Sequence, residues 1–516
     1  MLILKTVEYK KESSATIEVK LEPLGKRIWV EPGASLQDVL FEYGVEFPCG
    51  GEGSCGNCRI KLQQGDLAVN DVQRDFFTAE EITDGWRLAC QCRVREPVTL
   101  EIAQWEMQIL TDEESYQTAG RSGYAVAVDL GTTTLVTQLL DLATGNVVGT
   151  RTGLNPQAQY GSDVMSRVEF GTHTDGAVKL RERIRSALLK MILDLLSNGS
   201  RKELLLRRIF IVGNTVMHHL FCGRDVTPLS RAPFETAGGK EFTTAASEIG
   251  WDLPGNPEVR FLPCLGGFVG SDILAGIIAT GLARETDLTA LIDLGTNGEV
   301  VIGNRRKILC ASTAAGPAFE GAKISRGMRA ITGAIAKVTL NDGRQFAAHV
   351  LGGGEARGIC GSGLVDAVAC AIELGLIDET GRITGFDGRI VIQDGVSITQ
   401  QDIRELQLAK AAVAAGLEIL LQRLSVTFND LKKVYIGGAF GSYISVANAR
   451  KIGLFCGSDV TLIQAGNTAL RGVKELLLRE PDYHTLLTQI THIALATDAG
   501  FMDRFVANMT FGKRSG

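Results

Sequence analysis

The chain has no stretch of about 18 consecutive uncharged apolar residues, the length that a helix needs to cross a bilayer. Its first apolar stretch is too short for the core of a secretory signal. There is no run of five or six like charges and the net charge is −6, so no basic region suited to nucleic acid or an anionic membrane is evident. We therefore expect a cytoplasmic protein with neither nucleic-acid nor membrane partners.

The sequence also lacks the G-x-x-x-x-G-K-[ST] motif, which excludes a Walker-type phosphate loop. Aromatic residues make up only 6% of the 516 residues, whereas 45% are hydrophobic and 60 are glycine. This composition is typical of a globular α/β protein with many tight turns between strands and helices. The length predicts about two to four domains.

Cysteine is not scarce, and its placement is informative. Eleven cysteines in a large chain without a secretion signal favour metal or redox chemistry over disulfides. Cys49, Cys55 and Cys58 follow a C-x5-C-x2-C pattern in a glycine-rich loop, and Cys90 lies further on. Iron–sulfur clusters need thiolates that converge from a short loop, and glycine lets that loop bend around the inorganic sulfides. We predict that these four cysteines bind one [2Fe–2S] cluster.

Two alternatives stay open for this site. A zinc ion could use the same four thiolates, although zinc ribbons usually pair two C-x2-C knuckles. Cys92 competes with Cys90 for the fourth position. We choose Cys90, because the sequence RLAC resembles the ferredoxin ending in which the last ligand follows Leu-Ala.

The residues around the cysteines predict a β-grasp order of elements. Residues 4–10 and 15–20 alternate in polarity enough to form a hairpin, and residues 35–43 predict an amphipathic helix with Ser35 as its N-cap. The cysteine loop follows this helix directly. Hairpin, helix, cysteine loop and a late strand that brings the last ligand are the order found in [2Fe–2S] ferredoxins.

A polar, aperiodic segment comes next, and the rest of the chain contains a duplication. Strand, DLGT turn and strand occur at 123–142 and again at 289–302, and a basic pair, strand, glycine turn and helix occur at 207–220 and again at 432–444. Two pairs in the same order predict two similar lobes. The predicted boundaries are 1–105 for the ferredoxin-like domain, 106–122 for the linker, 123–287 for the first lobe and 288–516 for the second.

The duplicated turns have a chemistry suited to phosphate. A D-x-G-T-T turn presents backbone N–H groups and hydroxyls to phosphate oxygens, while the aspartate, Asp129 or its counterpart Asp293, can hold Mg²⁺ directly or through water. Gly437 and Gly438 allow close approach of the backbone to the nucleotide's other end. A single DLGTT is equally common as a plain tight turn, and a single GGAFG often serves packing. The paired arrangement favours a clamp for a triphosphate.

These motifs resemble those of the acetate kinase, sugar kinase, Hsp70 and actin superfamily of ATP-binding lobes. Together with the loop CGGEGSCGNC, they make the chain similar to the ATP-dependent reductive activators of corrinoid proteins. The resemblance covers nearly the whole chain. It implies an α+β and α/β multidomain fold, with an N-terminal β-grasp [2Fe–2S] ferredoxin domain followed by two RNase H-like lobes. The motifs that carry it are DLGTTT, GNTVMHHL, PCLGGFVGSDILAG, DLGTNGE, STAAGPAFEGAKISRGM, GICGSGLVDAV and GGAFGSYI.

The resemblance also implies an activity. An electron would pass from the [2Fe–2S] cluster to Co(II) in a corrinoid protein, regenerating the Co(I) that accepts methyl groups. Plant-type clusters lie near about −400 mV, so ATP would have to drive reduction of a couple that lies lower. The implied cofactors are the cluster, ATP and Mg²⁺. The implied partners are a cobalamin-binding methyltransferase component and a low-potential electron donor, and the chain could form a homodimer.

Carried over residue by residue, the resemblance gives each candidate a role. Glu299 and Asp272 would position the attacking water, with helix capping or a surface role as the alternative. The other assignments are Cys49, Cys55, Cys58 and Cys90 to the cluster, Asp129, Thr132, Thr133 and Thr134 to the first phosphate cradle, Asp293, Gly295, Thr296 and Asn297 to the second, and Gly437, Gly438 and Ala439 to the nucleotide's other end.

Three rival functions remain. The chain could activate another low-potential enzyme, such as a hydroxyacyl-CoA dehydratase, although those activators hold a cluster between two subunits. It could be a small-molecule kinase with a fused redox domain, which would transfer phosphate independently of the cluster. A non-catalytic Hsp70-like chaperone would require a substrate-binding β-domain.

Overall fold

In the computed structural model of the protein, contacts divide the chain into two compact units, Met1–Glu106 and Met107–Gly516. None of the helices in the described part of the chain is long and apolar enough to cross a bilayer. The described residues are 16–22, 24–41, 43, 45, 47, 51–53, 58–102, 111–112, 116, 118, 120–161, 163–197, 205–234, 239–295, 297–385, 387–393, 395–441, 443–455 and 460–512.

The first unit contains a five-stranded mixed sheet in the order β2-β1-β5-β3-β4, in which β1 and β5 are parallel. Alternate residues of β1 are buried, as expected for a strand with one face on a core. This strand order, with a helix after the first hairpin, is the β-grasp arrangement. Its elements are β1 Ile17–Glu22, β2 Lys26–Val30, α1 Leu36–Phe41, β3 Arg59–Gln64, α2 Asp71–Phe76, α3 Ala79–Thr83, β4 Trp86–Leu88 and β5 Val98–Ile102.

The first hairpin differs from the sequence prediction. Residues 4–10 lie outside the described residues, and the predicted strand 15–20, observed as β1, forms its hairpin with β2 instead. The other edge of β1 is occupied by β5. Gly25 in the connection has φ +61°, a left-handed conformation that favours glycine and closes the hairpin. Helix α1 is also shorter than the predicted 35–43.

The second unit contains two six-stranded sheets of similar topology. Their orders are β10-β11-β9-β6-β7-β8 and β21-β20-β12-β13-β14-β22. In each sheet three consecutive strands form an antiparallel meander, and the next strand of the same sheet, β9 or β20, adds in parallel to the first strand of the meander. The duplicated sequence segments therefore form duplicated sheets.

The elements of this unit fall into two groups. The first group is β6 Tyr124–Leu130, β7 Thr134–Asp141, β8 Val147–Leu154, α4 Val164–Thr172, α5 Gly176–Ser197, β9 Leu206–Gly213, α6 Thr215–Cys222, β10 Phe242–Ala245, β11 Glu258–Phe261 and α7 Ser271–Thr280. The second group is β12 Thr289–Leu294, β13 Gly298–Asn304, β14 Lys307–Thr313, β15 Ala334–Leu340, β16 Phe346–Val350, β17 Gly358–Ile359, α8 Gly361–Glu373, β18 Arg389–Gln393, β19 Val396–Thr399, α9 Gln400–Arg423, β20 Lys433–Gly437, α10 Gly438–Gly441, α11 Val446–Lys451, β21 Thr461–Gly466, α12 Thr468–Arg479, α13 Tyr483–Gln489, β22 Ile490–His492 and α14 Phe501–Ala507.

Two helices cross between the lobes. Helix α12 of the second lobe buries its apolar face in one core with β6 and β9 of the first sheet, while α7 of the first lobe also packs on β12 and β13 of the second sheet. The two helices cross closely: a Cβ at Gly472 would lie 2.0 Å from the carbonyl oxygen of Ala275. Each lobe is therefore held partly by a helix of the other, close to the cleft between the sheets.

From Met107 onward, the segment predicted as a linker, 106–122, falls within the second unit, and several of its described residues contact the rest of that unit. Lys474 of α12 is fully buried, and its Nζ lies 3.1 Å from Oδ2 of Asp112 and 5.0 Å from the centre of the Tyr116 ring. The Tyr116 hydroxyl donates a hydrogen bond to Asp112 at 2.7 Å. At the segment's end, Arg121 pairs with Glu480. These contacts tie this part of the segment to α12 and to the residue that follows the helix.

We expect Lys474→Met to lower the free energy of unfolding by about 3 kcal/mol, because it leaves the buried Asp112 carboxylate without its nearest cation. Thermal unfolding of the full chain measures this as a fall in Tm of several degrees. Lys451→Met removes an exposed ion pair with Glu373 and serves as the control, with unchanged Tm. Equal Tm values for the two variants would contradict an important role for the buried pair.

Candidate functional site

The first of the two turns predicted to bind phosphate, the first phosphate turn, joins β6 to β7. Asp129 lies near the end of β6, and the N–H of Gly131 donates to the carbonyl of Thr134 at 3.0 Å, closing the turn. The hydroxyl of Thr132 accepts a hydrogen bond from the Asn214 side chain at 2.8 Å. Asn214 is the N-cap of α6, so the start of that helix is joined to the turn. Thr133 and Thr134 complete the predicted cradle.

The second phosphate turn joins β12 to β13 in the same way. The N–H of Gly295 donates to the carbonyl of Asn297 at 3.0 Å, and Thr296 between them lies outside the described residues. Asp293 and Glu299 are directly opposed in the antiparallel register of the two strands. The charge of Asp293 therefore opposes ionisation of Glu299 and adds to the rise in its pKa.

The glycine pair lies beside the second turn. Gly437 ends β20 in register with Asp293, and Gly438 has φ +80°. A Cβ at Gly438 would lie 2.8 Å from Oδ1 of Asp293, so only glycine fits there. The helix predicted after the glycines is limited to α10, four residues that include Ala439.

The four predicted catalytic carboxylates all line one cavity of about 270 Å³ between the lobes. Burial raises the pKa of Asp129 to about 6, and a hydrogen bond from Asn467 opposes this. Burial and then the charge of Asp129 raise the pKa of Asp293 to about 7. The pKa values of Asp272 and Glu299 are also raised, chiefly by burial and then by neighbouring carboxylates. Such clusters of perturbed carboxylates are typical of sites that bind cations or move protons.

Part of the cavity wall is aromatic. Phe319 and Phe440 stack there, with ring centres 4.6 Å apart and planes 24° apart, and Tyr443 also lines the cavity. Helix α8 begins at the same wall, and Gly361 and Ser362 are part of the lining. The lining of the cavity thus combines acidic and aromatic side chains.

Sequence reasoning missed Asn467. It lies between β21 and α12, lines the cavity, and its Nδ2 donates to Oδ2 of Asp129 at 2.8 Å across 338 positions of sequence. A signal was available, since the triplet Gly-Asn-Thr at 466–468 repeats the triplet at 213–215, where Asn214 contacts the first phosphate turn. The repeat does not by itself reveal that Asn467 reaches the other lobe.

Within the described residues, no three acidic, histidine or cysteine side chains lie close enough together to hold a metal ion unaided. The cavity carboxylates are spread around the wall. A divalent cation here would therefore need oxygen ligands from phosphate or water as well, which is the usual situation for Mg²⁺.

The cysteine site lies in the first unit. Cys58 and Cys90 have their sulfur atoms 3.3 Å apart, while Cys49 and Cys55 lie outside the described residues. Gly51 and Gly53 have φ of +103° and +79°, and a Cβ at either would come within 2.6 Å of a neighbouring side chain. The described residues fit an iron–sulfur loop: two thiols converge, and glycines occupy positions where other residues would be strained or would clash.

Cys92 is placed differently from Cys90. Its side chain is 2% exposed, and its sulfur lies 3.8 Å from Oε1 of Gln73 in the core of the unit. Cys90, by contrast, is partly exposed and faces Cys58. This geometry favours Cys90 as the fourth ligand.

Comparison with known families finds three matching regions, which follow one another in the same order as the predicted domains. Residues 19–95 match the 2Fe-2S iron-sulfur cluster binding domain, 124–285 the RACo middle region, and 287–515 the C-terminal domain of RACo, the ASKHA domain.

Relatives with named activities match most of the chain. The corrinoid activation enzyme RamQ of Eubacterium limosum is 35% identical over 422 residues, which covers 75% of this chain and 70% of RamQ. The [Co(II) methylated amine-specific corrinoid protein] reductase of Methanosarcina barkeri is 30% identical over 427 residues, covering 75% and 77%. A solved structure of a reductive activator for corrinoid, iron-sulfur protein is 27% identical with a TM-score of 0.67, covering 96% of this chain and 98% of that one.

The fold and the two sites define an iron–sulfur protein fused to an ASKHA body of two lobes. The chain belongs to the RACo family of reductive activators of corrinoid proteins. The predicted fold class and the family resemblance are therefore confirmed, as is the presence of a [2Fe–2S] domain. The individual site residues stay predictions.

Proposed function

We propose that this protein reductively activates a corrinoid protein, passing one electron from its [2Fe–2S] cluster to Co(II) and so regenerating Co(I). ATP hydrolysis in the cleft between the lobes drives the transfer. The observation that carries the proposal is that the two repeated phosphate turns and four carboxylates line one cavity in a chain that also contains a ferredoxin domain. The names of two relatives, an activation enzyme and a Co(II) corrinoid protein reductase, support the same activity.

The lining of the cavity fits a nucleotide with Mg²⁺. The turns after Asp129 and Asp293 offer backbone N–H groups to the phosphates from opposite lobes, and the first turn adds the hydroxyls of its threonines. Gly438 allows the phosphate chain to pass close to the backbone, and the stacked Phe319 and Phe440 offer an apolar wall to the base. Asp129 and Asp293 would hold the cation, in part through water.

The raised pKa values have a direct consequence for cation binding. With pKa values near 6 and 7, Asp129 and Asp293 are partly protonated at neutral pH. A divalent cation favours the ionised forms, so its binding releases protons and weakens as the pH falls below about 7. Burial and neighbouring carboxylates also raise the pKa of Glu299, which in its ionised form would accept a proton from water as Asp272 orients that water.

Cys49, Cys55, Cys58 and Cys90 would hold the cluster. When bound, the cluster supplies a one-electron reductant and Mg·ATP supplies the free energy that an uphill reduction needs. The lobes are suited to respond to nucleotide, because each lobe contains one phosphate turn and packs against one helix of the other lobe. Nucleotide that contacts both turns favours the closed arrangement, and a change in lobe closure can alter partner binding.

The remaining assignments are parts of the same proposal. A low-potential protein donor reduces the cluster, the partner is a cobalamin-binding methyltransferase component, and the protein acts in the cytoplasm, either as a monomer or as a homodimer. The family matches support the proposed domains, which are 1–105, 106–122, 123–287 and 288–516.

The decisive experiment follows Co(I) formation. The full chain, loaded anaerobically with iron and sulfide, is mixed with a low-potential reductant and a Co(II) corrinoid protein, and the Co(I) absorbance is recorded with ATP, with a non-hydrolysable ATP analogue and without nucleotide. We expect Co(I) to accumulate with ATP and at most slightly in the other two arms. Equal Co(I) in all arms would exclude ATP coupling. Phosphate recovered on a small-molecule acceptor would favour the kinase instead.

A further inference from the structure

Asn467 connects the second lobe to the strand that leads into the first phosphate turn. Its Nδ2 donates to Oδ2 of Asp129 at 2.8 Å, while its Oδ1 accepts the N–H of Leu470 at 2.8 Å as the N-cap of α12. One amide group therefore donates a hydrogen bond from its nitrogen to a carboxylate of the first lobe, and its oxygen caps a helix of the second lobe.

The helix that carries Asn467 is seated on the strand that carries Asp129. Leu470 and Val473 of α12 are buried in the same core as Ala125 and Ala127 of β6. Asp129 lies in the same strand, two residues after Ala127 and one before the strand ends. The packing of α12 on β6 thus sets the position of the Asn467 amide relative to the carboxylate.

An amide donor suits this position electrostatically. The carboxylates of Asp272 and Asp293 face the same cavity and oppose a further negative charge on Asp129. A neutral donor fixes one oxygen of Asp129 and favours its ionised form without neutralising it. The other oxygen is left for a cation or for water.

We propose that Asn467 is a positioning residue for Asp129, so that the first phosphate turn is complete only when α12 is seated on β6. This proposal rests on the proposed function, since it gives the ATP site a residue contributed by the opposite lobe. Unseating α12 would withdraw the amide and loosen Asp129. The opening of the lobes and the loss of hydrolysis are thereby linked through one side chain.

Variants can separate the two roles of Asn467. Serine and aspartate are both good N-caps, so Asn467→Ser and Asn467→Asp retain the start of α12. Serine is too short to reach Asp129, and aspartate replaces the donor by a second carboxylate. Thr399→Ala removes the N-cap of α9, whose residues are not among those lining the cavity, and serves as the control for losing a cap.

We expect Asn467→Ser to lower kcat for ATP hydrolysis by about tenfold and Asn467→Asp by about a hundredfold, in line with the loss of one hydrogen bond to a charged group and the added repulsion. KM and the Kd for ATP, measured by calorimetry, should change by less than about threefold, because a positioning contact acts in the transition state. Tm should stay at the wild-type value for Asn467→Ser and fall for Asn467→Asp, which adds a carboxylate to the acidic cavity. Thr399→Ala should lower Tm and leave kcat unchanged.

A second measurement asks whether Asn467 acts through Asp129. In an Asp129→Asn background, adding Asn467→Ser should lower kcat by less than about twofold, since the group it positions is already gone. A full additional tenfold loss would overturn the proposal in favour of direct contact with substrate. A wild-type kcat for Asn467→Ser would overturn it in favour of capping alone.

Failure of this inference can be told apart from failure of the proposed function. If the wild-type protein does not bind or hydrolyse ATP, the proposed function itself is wrong. If the wild type hydrolyses ATP and both Asn467 variants match it in kcat, only the positioning role is wrong.

Discussion

Asp293→Asn is expected to lower the rate of ATP hydrolysis by about a hundredfold or more while leaving the nucleotide-free protein at least as stable as the wild type. The carboxylate lies between the second phosphate turn and the glycine pair, where it would hold the cation that neutralises the phosphates. Asparagine keeps the shape of the side chain but removes the charge. Initial rates of phosphate release at saturating Mg·ATP measure the effect.

The stability half of this prediction follows from the electrostatics of the cavity. Burial and the charge of Asp129 raise the pKa of Asp293 to about 7, so the folded state disfavours its ionised form. The cost is absent below the unfolded pKa of about 4, grows as the pH rises to about 7, and is constant above that. The Tm advantage of Asp293→Asn should follow the same course.

Asp287→Asn provides the matched control for this experiment. Asp287 is exposed and precedes the same strand, β12, so the charge change is the same without the buried cavity. We expect its ATPase rate and its Tm to match the wild type at every pH. A loss of stability in Asp293→Asn, or an ATPase rate like that of the control, would show that Asp293 is structural.

Cys90→Ser is expected to abolish the [2Fe–2S] spectrum, whereas Cys92→Ser should leave it intact. Cys90 faces Cys58 with the two sulfur atoms 3.3 Å apart, while the Cys92 sulfur is buried against Gln73. A serine at 92 can keep a polar contact with the Gln73 oxygen, so little stability is lost. Visible absorption, iron and acid-labile sulfide after anaerobic loading distinguish the two variants.

The same measurement decides between iron and zinc. Full colour in Cys90→Ser together with its loss in Cys92→Ser would exchange the two ligand assignments. A colourless wild type that retains one zinc ion would replace the cluster by a zinc site. In the body, ATP binding should be unaffected in both variants, which shows that each chain is folded.

Local features were predicted best where the pattern and the chemistry are both contained in a few neighbouring residues. The turns after Asp129 and Asp293 were predicted because buried strands, a glycine and an aspartate occur together twice. The first hairpin was misplaced, since the choice between residues 4–10 and β2 as the partner of β1 depends on which strands complete the sheet. Periodicity alone does not decide that.

Contacts between distant segments could not be predicted in this way. Nothing near Asn467 in sequence indicates that it reaches Asp129, and nothing near Asp112 indicates a buried partner in Lys474. The stacked pair Phe319 and Phe440 likewise joins two segments that lie far apart in the sequence. Each of these contacts forms where α12 or another segment of the second lobe packs on residues that are distant in the sequence. Local sequence patterns do not predict such packing.

The sequence by itself determined the class of this protein, because thiol spacing, repeated phosphate turns and the order of elements depend only on near neighbours along the chain. The tertiary structure alone decided that four carboxylates share one cavity and that their pKa values rise, since burial and mutual repulsion arise only when the two lobes meet. It also decided that the first turn is completed by an amide from the opposite lobe, because the crossing of α7 and α12 is a property of packing.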